Sequence, residues 1–117
     1  MGMIVLALII ILLYDPFSPG PAAVDAEWVV DPDAKLGPTA TSIPIVVNEM
    51  ECASGRSATG RIEVEIAYGP DEVGIEVGVR PLGGDQNCPS NPNTPYIIEL
   101  SEPLGDRSIE GERPLTG

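Results

Sequence analysis

Arg61-Ile62-Glu63-Val64-Glu65-Ile66-Ala67-Tyr68-Gly69-Pro70-Asp71-Glu72-Val73-Gly74-Ile75-Glu76-Val77-Gly78-Val79-Arg80 is the stretch that decides how this chain folds. In its first half Ile62, Val64, Ile66 and Tyr68 alternate with Arg61, Glu63, Glu65 and Ala67, the period of two of a strand with one wet face. The second half repeats the pattern with Val73, Ile75, Val77 and Val79, and Gly69 to Glu72 between them carry turn formers. An antiparallel hairpin is predicted. A helix is disfavoured, because apolar residues two apart would spread around it and β-branched side chains prefer a pleated surface. Gly74 and Gly78 thin the outward row; they allow a close approach by another backbone, but a thin solvated face is the expectation.

Outward from the hairpin the pattern continues in short pieces. Ser42 to Glu51 reads as a first strand, with Pro44 placing it at an edge or Pro44 near its start. Cys52 to Gly60 is a polar loop; its glycines and hydroxyls lack the Gly-Lys-Ser/Thr ending of a phosphate-cradling loop, and a strand follows it. Pro81 to Pro95 is a long connection, which inside a compact domain is either functional or tied down. Tyr96 to Ser101 gives another strand, Glu102 to Arg107 a turn, and Ser108-Ile109 a short strand. The expected fold is all-β: a small antiparallel β-sandwich of five to seven strands over residues 42–110, followed by a disordered tail at 111–117.

Such a domain is small, and only 4% of the chain is aromatic, so a covalent staple matters to it. Cys52 and Cys88 lie on the two loops flanking the hairpin. A bridge closing a loop of that length stabilises by roughly 4 kcal/mol in the chain-entropy picture. The pair is expected to be bonded, with two buried free thiols as the alternative. Without any histidine the cysteines make no closed zinc site, and a catalytic thiol lacks its usual base.

Residues 1–14 are apolar or glycine throughout, and Asp15-Pro16 ends the run. As a helix they reach about 21 Å, short of the roughly 30 Å of a bilayer's hydrocarbon. Three readings stand: an uncleaved anchor, a cleaved signal, and a membrane segment whose start lies further upstream. No basic residue precedes the run and no lipobox cysteine follows it. Residues 15–41 hold prolines at 16, 19, 21, 32 and 38 and read as a semi-stiff spacer, in which Trp28 to Val30 form a short strand packed on the domain.

A net charge of −12, with six basic residues scattered among 18 acidic ones, argues against nucleic acid as a partner. The absence of histidine removes histidine-dependent triads and imidazole acid-base work. Carboxylates remain. Glu63 and Glu65 share the outward face about 7 Å apart, a separation glycosidases use, although a solvated charged face is the plainer reading. Asp71-Glu72, or Asp85 with Asn87 and Asn91, offer oxygen ligands without the spacing of a calcium loop. No metal-ligand set, cofactor motif or catalytic constellation is read. Arg56, Arg61, Arg80 and Arg107 are expected in structural ion pairs with Glu49, Glu63, Glu76, Glu99 or Asp106.

Five short motifs occur in order: Cys52-Ala53-Ser54-Gly55-Arg56, then Gly60-Arg61-Ile62, then Val79-Arg80-Pro81-Leu82 with Gly83-Gly84, then Cys88-Pro89-Ser90-Asn91-Pro92 with Thr94-Pro95, and Glu102-Pro103-Leu104-Gly105-Asp106-Arg107. Together, over about residues 41–110, they resemble a small uncharacterised domain of exported or membrane-anchored proteins in actinobacteria and similar bacteria. The resemblance implies an extracytoplasmic location and a cysteine pair on the two loops, and it implies no activity.

The function expected is that of a non-catalytic structural or binding module of the cell envelope, displayed outside the membrane by its N-terminal segment or secreted. Its partner would be an envelope protein or glycan, met by the loops Ala53–Gly60 and Gly83–Thr94 through Ser54, Arg56, Asn87, Asn91 and Thr94. The alternative is a small carbohydrate-active hydrolase using Glu63 and Glu65.

Overall fold

The computed structural model describes residues 22–116; the expected anchor or signal at 1–14 and the start of the spacer lie outside the described residues. Seven strands and no helix are found among the described residues: β1 (Val24–Asp25), β2 (Glu27–Val30), β3 (Ser42–Asn48), β4 (Ile62–Tyr68), β5 (Glu72–Val79), β6 (Thr94–Glu99) and β7 (Ser108–Glu110). They form two sheets around one core, a sandwich-like all-β arrangement.

The hairpin forms where the alternation places it. Ile62 lies opposite Val79, Ile66 opposite Ile75 and Tyr68 opposite Val73, and the turn closes with Gly69 N donating to Glu72 O at 2.8 Å. Val73, Ile75, Val77 and Val79 are all buried. Burying each such side chain contributes roughly 1.5–3 kcal/mol. Opposite them the second sheet, ordered β2-β3-β6, buries Trp28, Ile43, Ile45, Val47 and Ile98.

β3 is the central strand of that sheet rather than an edge, and Pro44 is its third residue. The ring is tolerated because the Pro44 nitrogen faces the end of β2, where its carbonyl still accepts from Asp31 N at 2.9 Å. The sheets are antiparallel except for β7, which runs parallel to β5.

The domain is also longer than the pattern suggests. The chain pairs with β5 at Val24–Asp25, buries Ala26, and enters the other sheet at Glu27, so one segment of the expected spacer serves both layers. The C-terminal segment mirrors it: β7 lies on β5, and Arg113 then bridges Trp28, with N to O bonds of 2.8 and 3.0 Å in the two directions. Thus residues 24–30 and 111–116 belong to the folded unit, correcting the boundaries at 42 and 110.

Gly111 sits at the second crossover with φ +111°, where a Cβ would overlap the Ile75 carbonyl oxygen. Gly78 meets Ala23 and Val24 of β1 closely enough that a Cβ would lie 3.0 Å from that of Ala23. The close approach holds there, in place of the expected thin solvated face; at Gly74 the nearest atoms are at ordinary contact distance.

Candidate functional site

The end of β3 and the start of β4 are joined by residues 49–61, and the long connection 80–93 runs beside them. Cys52 and Cys88 are disulfide-bonded, with Cα atoms 4.6 Å apart. The bridge is one of several ties. Ser54 N donates to Asn87 O at 3.0 Å, and Ser54 Oγ accepts from Asn87 N at 3.0 Å while donating to Gln86 Oε1 at 2.9 Å. Ser54 reaches this geometry with a positive φ of 53°.

Asn91 works the same way. Its Nδ2 donates to the Glu49 and Glu51 carbonyls at 2.7 and 2.8 Å, which fixes the amide orientation, since the reversed amide would set an oxygen against two carbonyls. Asn48 Nδ2 in turn donates to Asn91 O and Asn93 Oδ1, both at 3.0 Å. Thr94 is buried, and its Oγ1 accepts from Ala58 N at 3.0 Å.

Beneath the loops lies an ion pair. Glu49 follows Ile43, Ile45 and Val47 in the inward phase of β3, and its carboxylate is 2% exposed. Arg61 holds both oxygens, Nη2 on Oε1 and Nη1 on Oε2 at 2.8 Å each, and also donates to the Arg80 and Ser57 carbonyls at 2.7 and 3.0 Å. The hydrogen bonds to Glu49 hold the Arg61 guanidinium above its already high ordinary value.

The five expected contact residues therefore divide. Ser54, Asn91 and Thr94 direct their side chains into the loop-to-loop network. Arg56 and Asn87 are exposed, and among the described residues their side chains enter no hydrogen bond or ion pair. Beside the disulfide is a depression of about 240 Å³ whose rim includes Met50, Glu51, Pro89 and Ser90.

No family model matches the chain, and neither a curated protein nor a solved structure matches it. Geometry alone therefore weighs the sites.

Glu63 and Glu65 stand exposed on β4 as expected, around a depression they share with Asp25 and Glu76. Glu63 is paired with Arg80 at 3.0 Å, whereas Glu65 lies directly across from Glu76 in the ladder. Among the described residues no group of three acidic or thiol side chains is placed to hold a metal ion. Of the four arginines expected in ion pairs, Arg61 takes Glu49 and Arg80 takes Glu63 as expected, Arg107 meets Glu102 at 2.6 Å rather than Asp106, and Arg56 forms none among the described residues; Arg113 adds a pair with Asp25 at 3.2 Å. The buried Glu49–Arg61 pair was not singled out in advance from the several pairings open to Arg61, although an acid in the inward phase of a strand signals one.

Proposed function

We propose that this chain is an extracytoplasmic module of the cell envelope, attached to the membrane by its N-terminal segment or secreted, with a structural or binding role and no catalysis. The Cys52–Cys88 disulfide carries this reading, because such bonds persist in oxidising compartments and are rare where thiols are kept reduced. The binding surface is the pair of loops joined by that bond. Ser54, Asn91 and Thr94 make the surface rigid, and Arg56 with Asn87 present free donors to an envelope protein or glycan.

Two measurements test it. Thiol trapping in cells making the full chain should leave both cysteines unalkylated until a reductant is added; alkylation without reductant overturns the location. Capture of partners from envelope extracts should then be lost with Arg56→Ala, a substitution at an exposed side chain that leaves the fold intact. Retention by that variant overturns the loop surface.

The depression bordered by Asp25, Glu63, Glu65 and Glu76 favours a second reading, a carbohydrate-active hydrolase using Glu63 and Glu65. Release of reducing sugar from envelope glycans, lost in Glu65→Gln, would establish it in place of the first.

A further inference from the structure

The four long edges and flanks of the two sheets are not treated alike. In β6 the bond from Leu100 N to Thr41 O sets the phase of the ladder, so that Pro95 turns its missing donor toward the open side. The open side of β2 is bridged by Arg113, and the far flank of β5 is shared by β1 and β7.

β4 is different. The bonds Gly69 N to Glu72 O and Arg80 N to Arg61 O place the backbone groups of the odd-numbered residues toward β5. Those of Ile62, Val64, Ile66 and Tyr68 consequently point away from it, and no strand takes them among the described residues. This edge spans seven residues and contains no proline.

Two further observations concern its faces. On the inward face Ile62, Val64 and Ile66 remain partly exposed, whereas every inward residue of β5 is buried. On the outward face Glu65 and Glu76 oppose each other, a like-charge pairing that destabilises an antiparallel ladder.

We propose that β4 is a docking edge for an extended cationic segment of a partner protein, which adds to the sheet as a further strand. Its backbone bonds to Ile62, Val64, Ile66 and Tyr68, its apolar residues cover the half-exposed inward row, and its lysines or arginines lie beside Glu63 and Glu65. A second copy of this chain fits poorly, since joining two β4 edges sets Glu63 and Glu65 against their own counterparts. This surface is separate from the disulfide-bonded loops and does not depend on the compartment proposed above.

The test uses the full chain and a fluorescent eight-residue peptide of alternating lysine and valine, read by anisotropy. Saturable binding is expected, weakening with added salt. The same peptide methylated at every backbone nitrogen keeps its charges and side chains but should not bind. Glu65→Lys should weaken the unmodified peptide by about fivefold, as loss of one opposite-charge cross-strand pair implies, and should admit an alternating glutamate and valine peptide. Equal binding of the methylated peptide overturns the proposal, because charge alone would then explain capture. Indifference to Glu65→Lys, or dimerisation of the chain through β4, overturns it as well.

Discussion

Glu49 and Arg61 meet through both carboxylate oxygens at 2.8 Å, at the point where the end of β3 and the start of β4 come together. The acid is 2% exposed and the arginine 15%, so neither is compensated by water when the other is removed. Arg61→Ala is expected to lower stability by about 3–5 kcal/mol, because it strands a buried carboxylate. In urea denaturation the midpoint should fall, and adding Glu49→Ala should recover part of the loss, the mark of coupled residues. Arg61→Lys will not restore it: one ammonium cannot grip two oxygens and still reach the Arg80 and Ser57 carbonyls.

The disulfide acts on the unfolded chain more than on the folded one. Cys52 and Cys88 are 36 residues apart, and the two loops are also held by Ser54, Asn87 and Asn91. Cys52→Ser with Cys88→Ser should therefore cost about 4 kcal/mol by the loop-closure relation, while amide exchange at Ser54 and Asn87 in native conditions changes little. Wholesale loss of protection in those loops would show the bond to be the only tie.

The hairpin could be read because its period of two extends over two strands of seven and eight residues and one face is buried throughout. The segments that close the structure could not. Val24–Asp25 is two residues long and Arg113 forms a single bridge, so neither has a period, and their pairing depends on partners distant in sequence. Likewise Asn91 and Thr94 were expected to face a ligand. Amides and hydroxyls serve a loop's own backbone as readily as a partner's, and composition does not separate the two uses. The ion pair expected of Arg56 does not form, because no acid among the described residues is placed beside its exposed side chain.

Gly111→Ala tests the crossover. The residue has φ +111°, and a Cβ has no room against the Ile75 carbonyl. The substitution should destabilise by more than about 1 kcal/mol, seen as a lower urea midpoint, and should first release the Arg113–Trp28 bridge. Gly83→Ala, where a Cβ meets nothing, is the matching control and should be near neutral.

The C-terminal segment is fastened at its far end by a group that titrates. Thr116 donates from Oγ1 to Glu27 Oε2 at 2.6 Å and from N to Glu27 Oε1 at 3.1 Å, and these bonds hold the Glu27 carboxyl below its ordinary value. A carboxyl lowered in the folded state favours folding fully above its unfolded value, near 4.3, and that contribution is lost as pH falls through the folded value. The fastening should therefore be intact at neutral pH and release in acid, with the protection of the Thr116 amide, taken relative to its intrinsic exchange, lost below the ordinary carboxylate range and ahead of global unfolding. Glu27→Gln keeps acceptor geometry at one oxygen without the charge, so its protection at Thr116, relative to intrinsic exchange, should be lower at pH 7 and flat across the acid range. A wild-type profile equally flat would show that the carboxylate does not hold the segment.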